Sequence, residues 1–138
     1  MSRAPILLDT CAAIWAAEAN GLSAGAQDVI EQAERDRVPL LVSPITAWEM
    51  GMLVAKGRVA LLGPPLTWFS GLLETGVQIA EMTPAILIDA SFLPHSRLRD
   101  PADRVIAATA RALGCRIMTR DRPILNYAAA GHVQAIAC

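Results

Sequence analysis

The run Ala4-Pro5-Ile6-Leu7-Leu8 ends abruptly on Asp9. An unbroken apolar run of that length, with no alternation of polar residues, is the pattern of a strand buried on both faces, as in a sheet covered by helices on either side. A carboxylate at the exit of such a strand loses hydration, which is costly without a partner. Few folds accommodate both features.

The same pattern recurs along the chain. Pro39-Leu40-Leu41-Val42-Ser43 reads as a second buried strand and Cys115-Arg116-Ile117-Met118-Thr119 as another. Val77 to Met82 and His132 to Ala137 are weaker strand candidates. Between them lie helical stretches. Cys11 to Ala19 is alanine-rich and stops at Asn20-Gly21, and Ser23 is placed to cap a helix through about Asp36. Pro44 interrupts before a helix from Thr46 to Lys56, closed by Gly57. Gly63-Pro64-Pro65 precedes a helix carrying Trp68, Phe69, Leu72 and Leu73. Pro84 opens one through about Phe92, and Pro101 opens another that reaches Leu113 and stops at Gly114. No element is assigned between Asp121 and Gly131.

Strands alternating with helices, without hairpin signals, predict an α/β fold whose mostly parallel central sheet has four to five strands and helices on both faces. The 138 residues, without repeat or linker, predict one domain spanning 1–138. Ligands of such sheets bind outside the carboxyl ends of the strands, near the point where strand order reverses.

Composition narrows the function classes. Apolar types make up 54% and charged types 18%, which excludes a disordered chain. No stretch approaches the roughly 20 apolar residues of a membrane span, and residues 4–8 run straight into Asp9, so neither leader nor anchor is expected. Three widely spaced cysteines, Cys11, Cys115 and Cys138, fit reduced thiols in a cytoplasmic protein, with Cys11 and Cys115 as small buried hydrophobes.

Acidic residues collect where the fold directs ligands. Asp9 follows the first strand and Asp121 lies two residues beyond Thr119. Glu49 is expected in the first turn of the helix after the second strand, and Asp100 and Asp103 open the helix that begins at Pro101. Capping explains some of these. Thr46-x-x-Glu49 has the form of a capping box, and Asp100-Pro101-x-Asp103 that of an N-cap, proline and acid in the first turn. Asp121 reads equally as an exposed turn carboxylate. Asp9 fits the bland reading least. Gathered at one sheet edge, Asp9, Glu49, Asp103 and Asp121 would repel and lose water, so they would either hold their protons or bind a cation. Carboxylates without a Cys or His cluster select hard cations, Mg²⁺ or Mn²⁺, and such a site suits phosphodiester hydrolysis.

A net charge of −1 argues against a nucleic-acid partner only on average. Between His95 and Arg122, seven arginines (Arg97, Arg99, Arg104, Arg111, Arg116, Arg120, Arg122) face three aspartates, a local balance of +4. Solvated surface accounts for many of them, yet together they form a basic rim suited to a phosphate backbone. Gly21-Leu22-Ser23-Ala24-Gly25 matches a serine nucleophile elbow, but a helix rather than a strand is expected before it, and Ser23 is better explained as a cap.

These residues resemble the PIN-domain family, specifically its VapC-like ribonuclease toxins of toxin–antitoxin pairs. The likeness runs through Leu7 to Ala12, Ser43 to Val59 with Trp48-Glu49 and Lys56-Gly57-Arg58, Arg99 to Arg104, and Thr119-Arg120-Asp121 followed by Ile124 and Tyr127. It implies a three-layer PIN-like fold and an Mg²⁺- or Mn²⁺-dependent endoribonuclease. It places Asp9, Glu49, Asp103 and Asp121 at the acidic, metal-holding positions, with Thr10, Thr119 and Arg104 in support. Arg97, Arg99, Arg120 and Arg122 would meet RNA. One departure is Leu98, where many relatives carry a histidine before Arg-Asp-Pro; His95 lies three residues earlier. Partners implied are a VapB-like antitoxin and a second copy in a homodimer, for which bulky apolar residues such as Trp48 and Trp68 supply surface. The alternatives are a PIN-like nuclease acting on another nucleic acid and a binding module whose acids only cap helices.

Overall fold

The computed structural model describes residues 3–17 and 21–138. Among these residues five strands, β1 (Ile6–Leu8), β2 (Leu40–Val42), β3 (Gln78–Ile79), β4 (Arg116–Thr119) and β5 (Gln134–Ala137), form one sheet in the order β3-β2-β1-β4-β5. Every pairing is parallel, and Leu7 sits opposite Leu41 on one side and Ile117 on the other. The all-parallel sheet agrees with the hairpin-free sequence.

Among the described residues seven helices cover it: α1 (Thr10–Ala16), α2 (Ala24–Arg35), α3 (Pro44–Ala55), α4 (Pro65–Glu74), α5 (Pro84–Asp89), α6 (Pro101–Leu113) and α7 (Arg122–Ala129). Alternation along the short strands divides the core in two. Leu7 and Ile117 point into a cluster with Ile86, Ile106, Ile124 and Tyr127, from α5, α6 and α7. Ile6, Leu8, Val42 and Met118 point the other way, toward Ala12, Ala33, Phe69 and Leu72 of α1, α2 and α4. Ile6, Leu7 and Leu8 are all buried, as a strand covered on both faces requires. Truncating such a residue to alanine costs about 2–5 kcal/mol.

Several boundaries follow the expected signals. Ser23 caps α2 through the Ala26 amide, and Gly114 ends α6 in the left-handed conformation at φ 67°. Others differ. Ser43, not Thr46, caps α3, with Pro44 in its first turn, so the proline begins the helix that it was expected to delay. Glu49 therefore falls in the second turn and is no part of a capping box. Helix α5 stops at Asp89, short of Phe92. Residues 122–129, given no element from the sequence, form α7, capped by Asp121 with Pro123 in its first turn. The expected end of α1 at Ala19 and Asn20 lies outside the described residues. Among the described residues no helix is long and apolar enough to cross a membrane.

Strand order reverses between β1 and β4: the chain moves outward one way through β2 and β3, and the other way to β5. The crevice for a ligand therefore opens where β1 and β4 end. Asp9 and the segment Thr119–Asp121 stand there.

Candidate active site

Asp9 leaves β1 and caps α1 directly. Its Oδ1 accepts the Ala12 amide at 2.7 Å, and its Oδ2 accepts the hydroxyl of Thr119 from the end of β4. Asp9, which fits a purely capping reading least, thus caps a helix and faces the crevice at once. Burial raises its pKa above the usual carboxylate range, opposed by the Thr119 and Ala12 hydrogen bonds and reinforced by the charge of Asp121.

Thr119 is fully buried and works in two directions. It donates to Asp9 and accepts the Asp121 amide at 2.9 Å, so one hydroxyl links two acids. Asp121 is half-buried, and its Oδ2 accepts the Ile124 amide at 3.2 Å at the start of α7. It is a cap, not a free turn carboxylate.

Glu49 reaches the crevice from α3. Its Oε1 accepts the hydroxyl of Thr10, which stands 3.0 Å from the hydroxyl of Thr46. Burial raises the Glu49 carboxyl pKa, the Thr10 bond opposes this, and Asp100, Asp9 and Asp121 add repulsion. Thr46, read from the sequence as half of a capping box, belongs instead to this buried chain of hydroxyls. Its spacing to Glu49 carried a signal, but the partner Thr10 lies on another element.

Asp103 sits in the first turn of α6, whose N-cap is Asp100; the Asp100 Oδ1 accepts the Ala102 and Asp103 amides at 2.9 and 3.1 Å. Among the described residues no hydrogen bond reaches the Asp103 carboxylate. Burial first, then the charges of Asp121, Asp100, Glu49 and Asp9, push its pKa up to about 8. The four acids named from the sequence, together with Asp100, therefore lie within one another's fields.

Cys11 reports the same focus. It is exposed rather than buried, which corrects the expectation of a core thiol, whereas Cys115 is buried as expected. Desolvation and then Asp9, Glu49, Asp121 and Asp103 push the Cys11 thiol up to about 11. Among the described residues no three His, Cys, Asp or Glu side chains close into a ready ligand set. The donor chemistry nonetheless fits a hard divalent cation: oxygen ligands only, partly desolvated, and mutually repelling until a positive charge enters.

The arginines divide into two groups. Arg104 donates Nε to the Ala90 carbonyl at 2.7 Å and Nη1 to that of Leu98 at 2.6 Å, holding the loop before α6. Arg111 donates to the His132 carbonyl and Arg116 to that of Ala4. Arg120 donates to the carbonyls of Cys138 and Gly21, both at 2.6 Å, and lies 4.4 Å over the Trp15 ring. Arg97, Arg99 and Arg122 are exposed. His95 is exposed in the loop at φ 50°, its ring 5.7 Å from that of His132.

Comparison with known proteins agrees with this architecture. Residues 6–130 match the PIN domain family. The chain is 37% identical over 123 residues to Ribonuclease VapC22 of Mycobacterium tuberculosis, covering 88% of this chain and 91% of that protein. The structure of VapBC2 from Rickettsia felis, bound to a DNA fragment from their promoter, superposes with a TM-score of 0.71 at 14% identity, over 96% of this chain and 98% of that one. DNA-bound VapBC from Salmonella typhimurium gives 0.66 at 14% identity, over 97% and 98%. These two likenesses confirm the fold. The chain belongs to the PIN domain family.

Proposed function

We propose that this PIN-domain chain is an endoribonuclease toxin that cleaves RNA with a divalent cation and is neutralised by a cognate antitoxin. The observation that carries the reading is the convergence of Asp9, Glu49, Asp103 and Asp121 from four segments at the crevice between β1 and β4. The relative named as a ribonuclease gives the reaction class.

In this reading Asp9, Glu49, Asp103 and Asp121 hold Mg²⁺ or Mn²⁺. When bound, the cation supplies Lewis-acid neutralisation of the phosphate and lowers the pKa of water. Thr119 keeps Asp9 and Asp121 in register, and Thr10 orients Glu49. Asp103, whose pKa burial and its acidic neighbours raise to about 8, would hold the cation in its ionised form. Arg97, Arg99 and Arg122 offer positive charge to the RNA backbone beside the acids. Arg104 and Arg120 support the site by holding backbone, through the carbonyls they engage. RNA as substrate and three free thiols suit action in the cytoplasm.

The partner surfaces are apolar. A groove of about 1040 Å³ runs between α1, α2 and α4, lined by Ile14, Leu22, Ile30, Leu62 and Trp68 and edged by Glu31 and Glu34. It suits an apolar antitoxin segment flanked by basic residues. Trp48 on α3, Leu87 and Ile88 on α5, and Phe92 just beyond α5 are exposed and would be covered in a homodimer.

Asp9→Asn tests the reading. Asparagine keeps the N-cap acceptor for Ala12, so the fold survives, while the charge is removed. The expected result is an unchanged circular dichroism spectrum and loss of Mn²⁺-dependent RNA cleavage. Cleavage at the wild-type rate overturns the assignment.

A further inference from the structure

Two fully buried threonines on helices behave differently. Thr109 returns its hydroxyl to its own helix, donating to the Val105 carbonyl at 2.7 Å, the usual outlet for a buried helical threonine. Thr46 lies in the first turn of α3, and the carbonyl four residues back belongs to β2: Val42, which already accepts the Ala80 amide at 2.9 Å. The Thr46 hydroxyl turns instead to Thr10, at 3.0 Å and 36 positions away in sequence.

The direction of that bond follows from the protons. Thr10 has one hydroxyl proton, and with Glu49 ionised, as a cation ligand must be, it goes to Oε1, which then can only accept. The proton between the two threonines therefore belongs to Thr46. Thr46 donates, Thr10 accepts and donates onward, and Glu49 receives.

We propose that Thr46 is a positioning residue of the site: by donating to Thr10 it fixes the Thr10 hydroxyl as a donor to Glu49 and so presets that carboxylate for a divalent cation. This role rests on the divalent-cation reading of the site. Bonds in such a chain polarise one another, each strengthening the next by about 10–30%. Valine at position 46 keeps the shape and removes the donor, leaving Thr10 free to turn. Serine keeps the donor.

The test uses the full chain, with Mn²⁺ as the probe and two readouts: the melting temperature against Mn²⁺ concentration without RNA, and RNA cleavage against Mn²⁺. T46V is expected to need about tenfold more Mn²⁺ in both, the lower end for a residue supporting a metal ligand. T46S is expected to match the wild type. In a T10V background the T46V change should leave the Mn²⁺ midpoint unmoved, because the acceptor is gone. A role in folding alone would lower the metal-free melting temperature at an unchanged Mn²⁺ midpoint, which overturns the proposal. If T46V does not fold, T46A takes its place under the same criteria. A wild-type chain that neither binds Mn²⁺ nor cleaves RNA overturns the reading of the site together with this role. A wild type that does both while T46V and T46A match its midpoint overturns the role of Thr46 alone.

Discussion

Thr119 and Asp9 are 110 positions apart in sequence, yet the hydroxyl of one binds the carboxylate of the other across the adjacent ends of β4 and β1. The same hydroxyl accepts the Asp121 amide, so a single buried side chain sets the spacing of two acids.

Thr119→Val should therefore fail in two ways. Leaving the Asp121 amide unpaired is expected to cost about 1–3 kcal/mol of stability, read from urea melts. Loosening Asp9 is expected to weaken Mn²⁺ binding about 10–100-fold, read from Mn²⁺-dependent melting. Thr119→Ser should be close to wild type in both. Equal Mn²⁺ midpoints for the valine variant and the wild type would remove Thr119 from the site.

The arginines separate by the same kind of measurement. Arg120→Ala loses two carbonyl contacts and its place over Trp15, and is expected to destabilise the fold by about 1–3 kcal/mol. Arg97→Ala and Arg99→Ala should stay within about 0.5 kcal/mol of wild-type stability. They should instead bind RNA more weakly, with a salt dependence shallower by about 0.7 per lost phosphate contact. Filter binding across a salt series distinguishes the two groups.

Asp103 gives a pH dependence whose sign is opposite to that of a salt-bridged carboxylate. Its pKa is raised to about 8 in the fold, so the native state keeps a proton that the unfolded chain releases. The stability this contributes is complete below about pH 4 and is lost as pH climbs toward 8. Without divalent cations the melting temperature should fall between pH 5 and pH 8, and Asp103→Asn should flatten that slope. Mn²⁺ should stabilise more at pH 8 than at pH 5. Scanning calorimetry reads all three, and a slope unchanged in Asp103→Asn would assign it elsewhere.

Leu62 is fully exposed at the mouth of the groove between α1, α2 and α4. Leu62→Asp is expected to leave folding and RNA cleavage intact. It should weaken antitoxin binding by about 2 kcal/mol or more, roughly 30-fold, if the groove seats an antitoxin side chain. Calorimetric titration with the antitoxin measures it, and unchanged affinity would place the partner on another surface.

Much of this architecture is written locally. Ile6–Leu8 ends on Asp9 because a strand buried on both faces allows no polar residue until it leaves the sheet, and that boundary is visible in nine residues. Thr46 and Glu49 misled because a capping-box pattern competes with Ser43-Pro44 three residues earlier, and the serine followed by proline is the stronger start. The signal for α7 was present: Asp121 as cap, Pro123 in the first turn, and Ile124, Tyr127 and Ala128 at helical spacing. Its short length hid it. The contacts of Thr10 with Thr46, of Thr119 with Asp9, and of Arg120 with Gly21 join distant segments, and no local pattern encodes them. Nor does any local pattern show that Cys11, in the first turn of α1, faces out of the core.

Helices α1, α3, α6 and α7 all begin at the edge where the acids gather. The start of a helix carries roughly half a positive charge, from amide groups left without carbonyl partners. Four such ends soften the field of the carboxylates without adding a single basic side chain. A phosphate chain approaching the crevice therefore meets less repulsion than the formal charges imply. The backbone itself is part of what makes an acidic pocket approachable by a polyanion.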